Sequence, residues 1–227
     1  MPVDYGGNAN QRTPCVLILD ASGSMNTPGS RGMTRIEELN EGIKTLEQAL
    51  KKDDAAISRV QLGIVSVGGP SNSAEVLMDW TDVENFEAFP LIANGSTPLG
   101  TGIRLGLQMI ESVKNDLRQN GINYTRPWMM IITDGEPTDE SGEWAQAVTE
   151  CKQAEANKKV EIFTIAVDGA NLGILSQLSV RAPEKLGGVK FNELFLWLSS
   201  SLSAASRSRP GDNLSLPSID PWRNVGM

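Results

Sequence analysis

Apolar residues along this chain fall into two alternating patterns. Short continuous runs, rich in branched aliphatic residues, are typical of strands that are buried on both faces of a sheet. Between these runs, apolar residues recur every three or four positions, which predicts amphipathic helices. Because strands and helices alternate, we expect a doubly wound α/β domain in which helices cover both faces of a mostly parallel central sheet. The predicted strands cover residues 15–20, 60–67, 128–133 and 160–167, and the longer helices cover residues 36–50, 103–117, 144–157 and 194–205.

Weaker signals add an edge strand and two short helices. Residues 68–70, with the sequence Gly-Gly-Pro, predict a turn. A strand at residues 74–80 would then pair antiparallel with the strand before the turn, so we expect one antiparallel strand at the edge of the sheet. Short helices are expected at residues 82–92 and 172–180.

The chain divides into three segments on this reading. Residues 12–205 form one domain, and residues 1–11 form a polar N-terminal extension. From residue 206 onward the chain becomes polar and proline-containing, which predicts an extended C-terminal tail over residues 206–227. Four apolar side chains in this tail either dock on a partner or fold back on the domain, and the sequence favours neither alternative. They are Leu214, Leu216, Ile219 and Trp222.

Composition narrows the class of protein. The chain has 227 residues, of which 40% are hydrophobic, so it can bury one sizeable core. A formal net charge of -8 and the lack of a basic cluster argue against nucleic acid as a partner. The N-terminal run lacks the regions of a signal peptide, and no apolar stretch approaches the ~18 residues that a membrane span requires. We therefore expect a soluble, cytoplasmic protein that has no membrane partner.

Few side chains are available for catalysis. The chain contains no histidine, which excludes Ser-His-Asp and Cys-His nucleophilic sites and any His-ligated zinc. Neither a P-loop pattern nor GxGxxG occurs, so the usual cradle for ATP or dinucleotide phosphates is missing. Cys15 and Cys151 could form one disulfide, although two buried thiols fit a reducing compartment better. Any chemistry must therefore use carboxylates, hydroxyls or a bound metal.

Three polar segments lie where predicted strands end or a predicted helix begins. Asp20 ends the first predicted strand, and Ser22 and Ser24 follow it. Thr97 lies in the sequence GSTPLGTG before a helix, and Asp134 lies in ITDGEPTD after a central strand. Ligands of open α/β sheets bind at the carboxyl ends of strands, and oxygen donors suit a hard cation such as Mg²⁺. The segments therefore predict a metal site, although each alone also fits a plain turn or a helix cap.

In this order, the three segments resemble the metal-ion-dependent adhesion site (MIDAS) of von Willebrand factor type A (VWA) domains. The resemblance implies a single Rossmann-like domain. It implies that Ser22 and Ser24 bind Mg²⁺ or Mn²⁺ directly and that Thr97 binds the ion directly or through water. It also implies that Asp20 and Asp134 act through water or by hydrogen bonding to the direct ligands.

A protein-binding adaptor or scaffold is the function that this resemblance implies. Because neutral hydroxyls dominate such a metal shell, the cation keeps much of its charge, and an open position attracts an Asp or Glu from a protein partner. The segments DASGSM, GSTPLG and TDGEPTD are most similar to the bacterial TerY-type proteins linked with tellurite-resistance systems. That similarity implies a kinase and a phosphatase as candidate partners.

Two alternative functions stay open at this point. One is a Mg²⁺-dependent phosphohydrolase with Asp20 as its nucleophile, and the other is a structural domain without a working site. An enzyme of that kind needs further carboxylates and a positive group near the phosphate, whereas Ser22 stands where a second acid is expected. The presence of all five site residues disfavours the structural domain.

Overall fold

The computed structural model of the protein describes residues 8–29, 32–188, 190–208 and 216–223. Within these residues, strands and helices alternate along most of the chain. The strands are β1 (Thr13–Ala21), β2 (Val60–Gly68), β3 (Ser73–Asp82), β4 (Trp128–Thr133), β5 (Glu161–Ala166) and β6 (Glu184–Lys185). The helices are α1 (Arg35–Leu50), α2 (Asp54–Arg59), α3 (Leu99–Gln119), α4 (Ser141–Ala156), α5 (Leu172–Leu175) and α6 (Phe191–Arg207).

The strands form one sheet in the order β3-β2-β1-β4-β5-β6. Every neighbouring pair is parallel except β2 and β3, which are antiparallel, so the predicted α/β sheet with one antiparallel edge strand is confirmed. From β1 the chain first builds outward through β2 and β3 and then returns to the other side of β1 with β4. The carboxyl ends of β1 and β4 therefore flank the point where the strand order reverses, which is the usual ligand position in such sheets.

Each face of the sheet carries its own hydrophobic core. Side chains alternate along β1, so that Leu17 and Leu19 belong to one core and Val16 and Ile18 belong to the other. The first core packs α1 and α6 against the sheet, and the second packs α3 and α4 against the opposite face. Burial from both sides explains why every residue of β1, β2 and β4 is buried, and why these strands appear in the sequence as continuous apolar runs.

The predicted helix at residues 82–92 is wrong. Only a single turn of 3-10 helix forms there, at Val83–Asn85, and the chain then continues without regular structure to α3. Its backbone groups bond to side chains of α1: the Asn40 amide donates to the Leu91 carbonyl over 3.0 Å and accepts from the Leu91 N–H over 2.8 Å. The Ala88 N–H donates to the Glu47 carboxylate over 2.9 Å. These long-range bonds replace the hydrogen bonds that a helix would make.

Other boundaries differ less from the prediction. The sequence analysis did not identify α2 and β6, and the short helix expected at residues 172–180 ends at Leu175. The last helix begins earlier than expected, at Phe191. Both cysteines are buried and free, and burial raises the pKa of each thiol, so the disulfide alternative is not realised. Among the residues that the structure describes, no helix is long and apolar enough to cross a membrane.

The described part of the tail packs on the domain instead of extending away from it. Trp222 is 1% exposed, and its ring meets the Trp197 ring of α6 edge to face, with 5.5 Å between the centroids. Trp197 Nε1 donates to the Pro217 carbonyl over 2.9 Å, and Leu216 and Ile219 pack against the same core. The fold-back alternative is therefore the one observed for these residues, whereas Leu214 lies outside the described residues.

Candidate metal centre

All five residues predicted for the site lie together at the carboxyl edge of the sheet. Asp20 is the next-to-last residue of β1, Ser22 directly precedes a 3-10 helix at Gly23–Asn26, and Ser24 lies in that helix. Thr97 lies just before α3, and Asp134 directly follows β4. Four of the five are buried, and Ser24 alone is exposed. The site thus opens to solvent on the side of Ser24.

The carboxylate of Asp20 is fully buried, and both of its oxygens accept hydrogen bonds. Oδ1 accepts from the Ser22 N–H over 2.8 Å, and Oδ2 accepts from the Thr133 hydroxyl over 2.5 Å. Burial raises the pKa of Asp20 above its ordinary value; these hydrogen bonds oppose the rise, and the charge of Asp134 adds to it. Asp20 therefore organises the turn that presents Ser22, and Thr133 is a supporting residue that the sequence analysis missed.

The two serines form a chain of oxygens that leads to Asp134. Ser22 Oγ and Ser24 Oγ are 3.0 Å apart, and Ser24 Oγ donates to Asp134 Oδ1 over 2.6 Å. Because Mg²⁺ binds oxygen at about 2.1 Å with octahedral geometry, adjacent ligands lie about 3 Å apart. The spacing of the two hydroxyl oxygens is therefore the spacing that two neighbouring ligands of one ion require.

Thr97 faces the same space, and its backbone is tied to the loop after β4. Its N–H donates to Thr138 Oγ1 over 3.0 Å, and the Thr138 N–H donates to the Thr97 carbonyl over 2.9 Å. A Cβ placed on Gly135 would lie 3.1 Å from Thr97 Oγ1 and 3.6 Å from Asp20 Oδ2, so the threonine hydroxyl and the buried carboxylate lie on the same side of Gly135. Glycine keeps the loop from filling this space.

The helix-cap reading of Thr97 does not hold. The first N–H groups of α3 are satisfied by Asp139, whose carboxylate accepts from Gly100 over 2.8 Å and from Thr101 over 3.0 Å. No side chain bonds as the cap residue itself, because Pro98 occupies that position. Capping of α3 from the β4–α4 loop therefore leaves the Thr97 hydroxyl for another role, and it fixes the two loops relative to each other.

Gly68, at the end of β2, supports the serine turn from behind. Its φ is +85°, and a Cβ at this position would lie 2.6 Å from the Ser96 carbonyl and 2.9 Å from the Ser22 nitrogen. A side chain cannot be accommodated there without moving backbone. The Gly23 N–H also donates to the Gly95 carbonyl over 2.9 Å, so the loops that carry the serines and Thr97 pack directly on each other.

Arg35, the first residue of α1, is the second functional residue that the sequence analysis missed. Its Nη1 lies 2.6 Å from Asp134 Oδ2, and the Asp134 side chain is 0% exposed while that of Arg35 is 16% exposed. The two residues are 99 positions apart in the sequence, so no local pattern indicates the contact. Asp134 thus bonds to Ser24 through one oxygen and to Arg35 through the other.

The donor set fits a hard divalent cation better than a soft one. Within the described ranges, no group of three or more His, Cys, Asp or Glu is placed to hold a metal. The hydroxyls of Ser22 and Ser24 lie beside Asp134, and the Thr97 hydroxyl lies on the same side of Gly135 as the Asp20 carboxylate. Neutral oxygen donors in this number suit Mg²⁺ or Mn²⁺ and leave part of the charge of the ion uncompensated.

Comparison with known proteins identifies related folds. The structure matches the pilus adhesin SpaC from Lactobacillus rhamnosus GG with a TM-score of 0.65 and 15% identity, over 87% of this chain and 32% of SpaC. It matches the SpRpn10 VWA domain with a TM-score of 0.52 and 15% identity, over 77% of this chain and 86% of that domain. The mussel byssus protein PTMP1, solved with a zinc-occupied MIDAS motif, matches with a TM-score of 0.55 and 13% identity, over 86% of this chain and 49% of PTMP1.

One protein family matches the chain by sequence. No curated protein matches the chain. The von Willebrand factor type A domain family, however, matches residues 15–187, a range that runs from β1 to the end of β6 and includes all three loops of the candidate metal centre. The chain therefore belongs to the von Willebrand factor type A domain family.

Proposed function

We propose that this protein is a metal-dependent protein-binding module that uses Asp20, Ser22, Ser24, Thr97 and Asp134 to hold Mg²⁺ or Mn²⁺. The observation that carries this proposal is the placement of the Ser22 and Ser24 hydroxyl oxygens, 3.0 Å apart, beside the two buried carboxylates of Asp20 and Asp134. PTMP1, a protein of the same fold, was solved with zinc in its MIDAS motif, which supports a divalent cation here. Mg²⁺ and Mn²⁺ are proposed because the donors are hard oxygens.

The charge of the site explains what such an ion would recruit. Direct ligands are neutral hydroxyls, and one of the two nearby carboxylates, Asp134, is already paired with Arg35. A divalent ion in this setting keeps net positive charge and has room for a further ligand on the exposed side of Ser24. An Asp or Glu side chain of a protein partner supplies the missing oxygen and negative charge.

The geometry favours binding over catalysis. A nucleophilic carboxylate needs a free oxygen aimed at the substrate, whereas both oxygens of Asp20 accept hydrogen bonds and its side chain is buried. Asp20 is therefore a residue that shapes the turn, which supports a protein without enzymatic activity over the phosphohydrolase alternative.

The proposed setting follows from the similarity to TerY-type proteins. In that setting the module is a cytoplasmic bacterial adaptor of a tellurite-resistance or stress system. Its acidic partners would be a kinase and a phosphatase of the same system. The motifs DASGSM, GSTPLG and TDGEPTD carry this part of the proposal.

A metal titration of the melting temperature tests the proposal. Mg²⁺ or Mn²⁺ should raise the melting temperature of the wild type, and Ser22→Ala with Ser24→Ala should abolish the rise. The matched control is Ser71→Ala with Ser73→Ala, because these hydroxyl oxygens are also 3.0 Å apart but lie on an exposed turn. This control should respond to metal as the wild type does.

Partner capture provides the second readout. Proteins retained from native lysate in Mg²⁺ should be lost in chelator and with the Ser22/Ser24 double variant, but kept with the Ser71/Ser73 control. A melting temperature that metal leaves unchanged, or capture that is equal without metal, contradicts the proposal.

A further inference from the structure

Arg35 is not one of the five proposed metal-binding residues, yet it contacts the candidate metal centre directly. Its guanidinium lies 2.6 Å from the buried carboxylate of Asp134 and is largely buried itself. The Arg35 N–H donates to the Thr27 carbonyl over 3.1 Å, which joins the start of α1 to the loop after Ser24. Arg35 is therefore held in the site by a backbone hydrogen bond and by the contact of its guanidinium with Asp134.

Helix stability does not explain an arginine at this position. The N-terminal turn of a helix carries partial positive charge and favours acidic residues. The cap of α1 is complete without Arg35, because Thr34 and Glu37 form a reciprocal capping box. A cation in the first turn opposes the helix dipole, so the contact that accounts for Arg35 is the one with Asp134.

We propose that Arg35 is a positioning residue that offsets the charge of Asp134 and thereby limits how tightly the site holds its cation. This inference rests on the proposed metal-binding function. Asp20, Asp134 and Arg35 together carry a formal charge of minus one when both carboxyls are ionised, so a bound divalent ion leaves the site at plus one. Without Arg35 the loaded site would be neutral and would attract an acidic partner less.

Two effects of Arg35 on the cation oppose each other. Its charge repels the ion, which weakens cation binding. Its bond to Oδ2 fixes the orientation of Asp134, which favours cation binding. The Asp134 carboxylate is also held through Oδ1 by Ser24, over 2.6 Å. Because this second bond preserves the orientation when Arg35 is removed, the repulsion is the larger effect, and loss of Arg35 should tighten cation binding.

Calorimetric titration with Mn²⁺ alone tests this proposal. Arg35→Met removes the charge and keeps the length of the side chain, and it should bind Mn²⁺ about tenfold more tightly than the wild type. Arg35→Lys keeps the charge and should remain within about threefold of the wild type. Arg207→Met is the matched control, because Arg207 also lies 2.6 Å from a carboxylate, that of Asp53, beyond the far end of α1.

A second variant keeps the test valid if Arg35→Met does not fold. Arg35→Gln removes the charge but keeps an amide that can donate to Asp134, and it should also bind Mn²⁺ more tightly than the wild type. The melting temperature without metal is measured in parallel, and it should fall for Arg35→Met because Asp134 is then buried without its cationic partner.

The outcomes separate the two proposals. Weaker or unchanged Mn²⁺ affinity of Arg35→Met, with the wild type binding normally, overturns the role of Arg35 alone, since a merely structural residue would lower stability without tightening the site. If Arg35→Gln instead binds Mn²⁺ no more tightly than the wild type, the charge of Arg35 is not the cause and the role is also overturned. Absence of Mn²⁺ binding in the wild type and in every variant overturns the proposed function itself.

Discussion

Two serine pairs in this protein share a local geometry and differ in their surroundings. In each pair the serines are two positions apart, their hydroxyl oxygens are 3.0 Å apart, and one of them bonds to a carboxylate. Ser24 donates to Asp134, and Ser71 donates to Glu75. The first pair lies at the carboxyl end of β1, whereas the second joins the turn after β2 to the first residue of β3, where both serines are exposed.

The difference shows which features make the first pair a candidate metal centre. Spacing of hydroxyls is present at both places, so it does not suffice. Only the first pair has a buried carboxylate on each side, Asp20 behind the turn and Asp134 opposite it. Its position at the reversal of strand order also brings the loop of Thr97 over it. Buried carboxylates and convergent loops are therefore the distinguishing features.

Removal of the carboxylate near each serine pair should give the largest difference between the two pairs. Asp20→Ala leaves the buried Ser22 N–H and Thr133 hydroxyl without their acceptor, and we expect a loss of about 2 to 4 kcal/mol in the free energy of unfolding, together with loss of metal response. Glu75→Ala removes only a bond at an exposed turn and should change stability by less than about 0.5 kcal/mol.

Urea unfolding without metal measures both changes. Asp20→Asn is the informative intermediate, because its amide keeps one acceptor oxygen while removing the charge. Equal effects of Asp20→Ala and Glu75→Ala would contradict the claim that the first turn depends on its buried carboxylate.

Acidification should also change stability and metal binding through Asp20, with a smaller effect than its replacement. The pKa of Asp20 is raised in the folded protein by burial, so the metal-free fold gains relative stability below the unfolded pKa and loses that contribution as the pH rises through the folded pKa. Metal binding has the opposite dependence, because a proton on Asp20 competes with the ion.

A pH series of melting curves, recorded with and without Mg²⁺, measures this effect. The rise in melting temperature caused by metal should shrink by a few degrees or more as the pH falls toward the pKa of Asp20, in the wild type and in the Ser71/Ser73 control alike. A metal-induced rise that is independent of pH across the acidic range would mean that Asp20 does not have to ionise for binding.

Much of the fold and the placement of the site could be predicted from the sequence. The strands β1, β2 and β4 are buried on both faces, so their apolar runs were direct signals. The five predicted site residues lie at ends of strands or just before α3, and parallel packing alone brings such ends to one edge of the sheet. Local pattern and topology were sufficient for these features.

The features that could not be predicted depend on contacts between distant positions. Arg35 reaches Asp134 across 99 residues, and the segment after β3 bonds to Asn40 and Glu47 of α1 instead of forming a helix. The tail folds back on the domain, where the Trp222 ring packs against the Trp197 ring of α6. The helix α2 is too short for a periodic pattern and is capped by Asp53. The contacts between distant positions leave no local signal in the sequence, whereas α2 was missed because of its length.

The location of a bound ion tests the central claim most directly. Crystals grown with Mn²⁺ and measured for anomalous scattering should show one ion within about 2.3 Å of both the Ser22 and Ser24 hydroxyl oxygens, and none at Ser71 and Ser73, although the oxygens of both pairs have the same separation. An ion bound at the exposed pair instead, or no ion near Ser22 and Ser24 at saturating Mn²⁺, would contradict the account.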